Sequence, residues 1–339
     1  MSAFVPARLR LARELRGLSQ AEVAGSADVT SAALSQFESG FARPAEATLE
    51  RLSRALQVPT AFFELLIDET HEGFFRSLRR SSVVDRRRAQ AVAQIAHDIA
   101  VMADVTENMP ATSLPARPIS SLEAPYQEIE AIASRVRKDW GVPPGPISSV
   151  VGLLESHGVV VIRMTLDSAD VDAFSLPFVD RPVIVLGSDK GDRARSRFDA
   201  AHELGHLVIH GAEFWGLTEV EKQAHGFAAA FLMPRDQIYR ELPQRVDWPS
   251  LFQLKRRWQV SLAALLMRAR TLERMTPATY LTAVKAASAR GWRRVEPVPL
   301  GPPEAAKMLP RLLMSHRLQP KLRSLMPATV LEVLATGAT

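Results

Sequence analysis

Residues 198–210 read FDAAHELGHLVIH, and the reading of this stretch decides the rest of the chain. It holds His202, Glu203 and His206 in an HExxH spacing inside an apolar run. As a helix, four residues make about one turn, so His202 and His206 project from the same face. Two imidazoles set this way reach one tetrahedral ion, and zinc is the usual occupant of paired histidines. Glu203 then lies beside the metal, where a carboxylate takes a proton from the attacking water. The competing reading is a partly buried helix whose two histidines share a stripe by coincidence, because so short a spacing arises readily by chance.

A catalytic zinc needs a third protein ligand and one position left open. The next candidate helix is EVEKQAHGFAAAFLM, residues 219–233, whose packing face is Ala224, Phe227, Ala228 and Phe231. Glu221, three residues before Ala224, falls on that inward face, whereas Glu219 and Lys222 point elsewhere. Glu221 is therefore the expected third ligand, with Glu219 in reserve.

Composition narrows the chemistry. The chain has 339 residues, 47% of them hydrophobic and 23% charged, which suits a soluble protein of two or three domains. Cysteine is absent, so any zinc is held by histidine and carboxylate alone. The absence of disulfides fits a reducing cytoplasm. No apolar segment follows the basic N-terminal residues and no run reaches the roughly 20 apolar residues of a membrane span. The expectation is a cytoplasmic protein with no membrane partner. Net charge is +5, but arginine crowds the early chain at Arg76, Arg79, Arg80, Arg86, Arg87 and Arg88. Such a cluster marks either a polyanion partner or a solvated helix face.

Working back to the N-terminus, residues 7–64 divide into short helices. Ser19 and Glu22 form a capping box for a helix with Ala21, Val23 and Ala24. Thr30 is placed to cap a third helix, Ser31 to Glu38, with Ala33, Leu34 and Phe37 inward and Gly40 at its end. Pro44, Thr48, Leu49, Leu52, Ala55 and Leu56 supply a fourth amphipathic helix. Two short helices joined by a tight turn, the second exposing small polar side chains, make a helix-turn-helix. Over Leu9 to Phe63 the sequence resembles the Cro/CI-type, or XRE, family, on LSQAEVA, VTSAALSQFESG and the segment after them. The resemblance implies contacts to double-stranded DNA from Thr30, Ser31, Ala32, Ser35 and Gln36, with Gln20 on a phosphate. It also implies an Arg10–Glu38 ion pair bracing the first and third helices. A homodimer on a pseudo-palindromic operator follows, with half-sites about one helical turn apart.

Beyond this domain, a basic helical segment runs from Phe74 through Ala103, with Ala91, Ile95, Ile99 and Met102 on one face. MPATSLPARP, residues 109–118, reads as a proline-bearing linker. Segments at 159–162, 171–176 and 182–186 are rich in β-branched residues and bounded by Asp, Gly or Pro, so they read as strands. Their short connections predict a small antiparallel sheet. The expected organisation is a helix-turn-helix domain over 1–66 and a basic helical connector and linker over 67–119. An α+β domain over 120–297 and a helical extension over 298–339 follow. The fold class is mainly α, an all-α N-terminal bundle followed by an α+β zincin-like domain.

From about Ser120 through Pro297 the sequence resembles the ImmA/IrrE family of metallopeptidases. The matching stretches are DVDAFS, VIVLG, RARSRFDAAHELGHLVIH, VEKQAHGFAAAFLMP, LKRRWQVSLAALLMRA and GWRRVEP. The resemblance implies a gluzincin-like zinc site of His202, His206 and Glu221, with Glu203 as general base. It departs at His225, where members usually carry Asn or Asp, so that position receives no assigned role. Family members often carry a histidine at the place of His210 without its being a ligand. Asp199 reads as a carboxylate complementing the helix dipole. The function implied is a transcription regulator carrying a zinc metallopeptidase that cleaves a repressor or antitoxin-like protein. The alternative is a DNA-binding sensor whose peptidase-like domain binds a ligand or partner without cleaving it.

Overall fold

A computed structural model of the chain describes residues 4–68, 82–166, 172–188, 192–211 and 217–336. Its contacts form two compact units that interleave along the sequence. The first is Met1–Thr112, Gly158–Asp189 and Ala306–Thr339; the second is Ser113–His157 and Lys190–Ala305.

The first unit begins with α1 (Pro6–Leu15), α2 (Gln20–Ser26), α3 (Ser31–Ser39) and α4 (Glu46–Leu56). Proline at the start of α1 is tolerated because the amides of the first turn have no helical partner. The capping box at α2 forms as expected: Ser19 Oγ accepts from the Glu22 amide, and Glu22 reaches back to the Ser19 amide at 2.7 Å. Thr30 caps α3, and Gly40 ends it at φ 79°, a conformation that costs glycine little. Leu9, Val23, Leu34, Leu52 and Leu56 meet in the centre with no exposed surface.

Next come α5 (Val83–Asp104) and the strands β1 (Val160–Met164), β2 (Ala173–Leu176) and β3 (Val183–Gly187). The single apolar face expected for α5 is too narrow a description, since every residue from Ala91 to Ala100 is buried. Helix α1 packs on it, as do β1, β3 and the C-terminal helices Met308–Leu313 and Ala328–Thr336. Its polar side chains are accommodated by pairing. Asp98 takes the Arg8 guanidinium and the Gln94 amide, and His97 Nε2 lies 2.8 Å from Asp180. Arg76, Arg79 and Arg80 lie outside the described residues, and Arg87 sits 3.8 Å from Glu14.

The small sheet is present, but it is mixed rather than antiparallel. Its order is β1-β3-β2. β3 runs parallel to β1, with Val160 opposite Val183, and antiparallel to β2, with Phe174 opposite Val185. Short links reverse the chain twice, which restores the direction of β1 in β3. Strand direction alone does not reveal that β3 inserts between the two earlier strands.

The second unit is helical: α6 (Tyr126–Asp139), α7 (Val150–Ser156), α8 (Arg193–Ile209), α9 (Thr218–Leu232), α10 (Arg235–Ile238), α11 (Trp248–Trp258), α12 (Leu262–Thr271) and α13 (Pro277–Ala289). Helix α9 packs on both α6 and α8, and two glycines allow the close approach. A Cβ on Gly205 would stand 3.1–3.3 Å from three atoms of Phe227, and one on Gly226 would stand 2.9 Å from the Tyr126 ring. Buried guanidinium groups satisfy carbonyls at the C-terminal end of α9. Arg137 donates to Phe231 O at 2.8 Å, and Arg268 donates to Met233 O at 2.9 and 2.7 Å. Helix α8 is tied to α7 through Glu304, which pairs with Arg197 and accepts from the Val151 amide and Ser149 Oγ, each at 2.9 Å. Among the described residues, no helix is long and apolar enough to cross a membrane.

Candidate metal centre and nucleic-acid interface

Histidines one turn apart on α8 face Glu221 near the start of α9. His202 Nε2 and His206 Nε2 are 3.0 Å apart. The Glu221 carboxylate lies 3.4 Å from the first nitrogen and 3.6 Å from the second. Zinc–nitrogen bonds of about 2.05 Å at tetrahedral angles place neighbouring donors about 3.3 Å apart, so the three donor atoms have the spacing of three corners around one ion. Glu203 is 4% exposed, and a carboxylate oxygen of it lies within 4.8 Å of a ring nitrogen of each histidine. Among the four positions expected at the centre, all are brought together. Glu219, the reserve ligand, makes no approach to His202 or His206 closer than 4.0 Å among the described ion pairs.

A chain of hydrogen bonds selects the tautomer that makes His206 a ligand. Gln223 Nε2 donates to Leu122 O at 2.8 Å and to Ser121 O at 3.3 Å, which turns its carbonyl oxygen toward His210. That oxygen only accepts, so His210 Nε2, at 3.1 Å, carries the proton. Burial lowers the pKa of His210 to about 4, so the ring is neutral near pH 7 and its Nδ1 accepts. His206 Nδ1, 3.0 Å away, therefore donates to it, and His206 Nε2 presents a lone pair toward His202 and Glu221. Burial, with the neighbouring histidines, also holds the pKa of His206 well below its usual value. Both effects favour the unprotonated nitrogen that a metal requires. His210 is thus a partner of a ligand, and Gln223 is a residue that sequence reading did not single out. Its partners Ser121 and Leu122 lie about a hundred positions away, beyond the reach of local periodicity.

His202 differs from its neighbour, since its Nδ1 is buried and has no hydrogen-bond partner among the described residues. The His225 ring meets it edge-on, with centroids 4.5 Å apart and planes at 75°. Asp199 forms interactions of its own and stands one turn before His202.

In the first unit, Thr30, Ser31, Ala32, Ser35 and Gln36 are all exposed along one side of α3, while Leu34 and Glu38 are buried on the other. Gln20 is half-buried and its amide nitrogen donates to Glu38 at 2.8 Å. The brace between α1 and α3 is not the Arg10–Glu38 pair expected from the resemblance. Arg13 makes it, forming a two-pronged bond to Glu38 at 2.6 and 2.9 Å, and Arg10 reaches only the Glu38 carbonyl at 3.2 Å. Arg13 lies on the buried side of α1, where the guanidinium stem is covered, while Arg10 points outward. The hydrogen bond to Glu38 raises the Arg13 pKa, so the brace stays charged.

Two family models match this chain. Residues 9–63 match the helix-turn-helix family, and residues 154–270 match a peptidase family described as the IrrE N-terminal-like domain. No curated protein matches the chain significantly. The chain therefore carries a helix-turn-helix of DNA-binding type, followed by a metallopeptidase-like domain.

Proposed function

We propose that this protein is a cytoplasmic, DNA-binding transcription regulator, homodimeric on a pseudo-palindromic operator, that carries a zinc-dependent peptidase acting on a repressor or antitoxin-like protein. The observation that supports it best is the convergence of His202 Nε2, His206 Nε2 and the Glu221 carboxylate at 3.0–3.6 Å beside the buried Glu203. His202, His206 and Glu221 would hold the ion. When bound, zinc supplies Lewis acidity, polarising a peptide carbonyl and acidifying a water molecule.

The protein's own groups do the rest. The Gln223–His210 chain keeps the lone pair of His206 turned to the site. Glu203, the general base, accepts the proton of the attacking water and returns it to the leaving amine. On α3, Ser31, Ser35 and Gln36 offer donors and acceptors to base edges, and Thr30 with Ala32 lies at the same surface. Gln20 reaches a phosphate in this reading by exchanging its bond to Glu38.

Glu203→Gln separates cleavage from binding. The variant is expected to keep zinc at wild-type stoichiometry and to lose proteolysis of its target in the cell. Unchanged regulation in that variant would make the domain a non-cleaving sensor instead. A purified wild-type chain that takes up no zinc would reject the metal centre.

A further inference from the structure

A hydrolytic zinc site leaves one coordination position open, whereas a structural one is closed by a fourth protein atom. His225 stands where that distinction is decided. It lies one turn after Glu221 on α9, so both side chains leave the same face of the helix. Its Nδ1 is 2.8 Å from the Glu221 carbonyl oxygen. A carbonyl oxygen only accepts, so Nδ1 carries the proton and the neutral ring presents a lone pair at Nε2. Donor atoms of His202, Glu221 and His225 lie within 4.8 Å of one another. The ring packs against His202 on one side and Phe198 on the other, with centroids 4.5 and 5.6 Å away. It is nevertheless an exposed residue, so it has room to turn.

We propose that His225 is a fourth protein ligand that closes the metal centre of the resting protein and leaves the site only when substrate docks. This rests on the reading of His202, His206 and Glu221 as the other three ligands. The bond to the Glu221 carbonyl leaves the lone pair of His225 on Nε2, the nitrogen a metal would take. A fourth ligand there makes the site latent. For hydrolysis His225 would have to turn away, so that a water could stand beside Glu203; one neutral group would replace another, with no net change in charge. Glu203 then acts on that water.

X-ray absorption spectroscopy of the full-length chain, loaded with one equivalent of zinc, counts the imidazoles on the ion. Three imidazoles and one carboxylate are expected in the wild type. Two imidazoles, the carboxylate and a water are expected in His225→Asn, with zinc affinity lower by about tenfold or more in chelator competition. Two imidazoles in the wild type would overturn the proposal while leaving the three-ligand centre intact, and so would an unchanged imidazole count in His225→Asn. Should His225→Asn fail to fold, the wild-type count still decides. A chain that takes up no zinc overturns the metal centre as well, which is a different result from two imidazoles.

Discussion

Replacing Glu304 by Gln tests whether helix α8 is held in place by a buried charge pair. Arg197 on α8 is 1% exposed and Glu304 is 9% exposed. Burial pulls the pKa of the guanidinium down, with Glu304 opposing that pull. Removing the negative partner leaves a buried cation uncompensated, which costs about 3–5 kcal/mol. At about 2–4 °C per kcal/mol for a unit of this size, the melting transition should fall by roughly 6–20 °C. The Arg117–Asp139 pair serves as the control, because its side chains are 37% and 35% exposed. Solvent screening limits a pair like that to about 0–1 kcal/mol, so Asp139→Asn should move the transition by no more than about 4 °C. A double replacement, Arg197→Met with Glu304→Leu, removes both charges and should recover most of the loss. It leaves the Val151 amide without the carboxylate that accepts from it, a residual of about 1–3 kcal/mol. Differential scanning calorimetry of the four proteins measures this. A Glu304→Gln shift no larger than that of Asp139→Asn would refute the reasoning.

Three further outcomes are expected. Gly226→Ala places a methyl 2.9 Å from the Tyr126 ring; overpacking of about 1–3 kcal/mol exceeds the gain of about 1 kcal/mol in helix propensity, so urea unfolding should show net destabilisation and zinc affinity should fall with it. His97 has its pKa lowered by burial but raised more by Asp98 and Asp180, with a net upward shift from 6.5. Its contribution is therefore complete below about pH 6.5 and lost as pH rises through the higher folded value; the stability difference between wild type and His97→Gln should shrink over that rise, and a difference that grows with pH would contradict the assignment. Replacing Ser35 and Gln36 together should change which operator sequence is preferred, by about 1–3 kcal/mol per base pair read; chromatin immunoprecipitation with sequencing that recovers the same sites at the same strength would argue against α3 as the reading helix.

What this sequence determined by itself was local. The capping box of Ser19 and Glu22, the Thr30 cap, the Gly40 stop and the one-turn spacing of His202 and His206 follow from helix geometry within four residues, and all appear where that geometry puts them. The apolar face of α9 likewise placed Glu221 toward the histidines, because helical periodicity carries over three residues without help. Tertiary structure decided whatever depends on partners distant in the chain. Arg13 rather than Arg10 meets Glu38, because packing buries one side of α1 and exposes the other. Alternation of strand direction could not reveal that β3 inserts between β1 and β2. The Gln223–His210–His206 chain joins residues of two helices to the carbonyls of Ser121 and Leu122, about a hundred positions away. A glutamine in an apolar helix carries no sign of what it will touch, and only the close packing permitted by Gly205 and Gly226 brings α6, α8 and α9 near enough to give it a role.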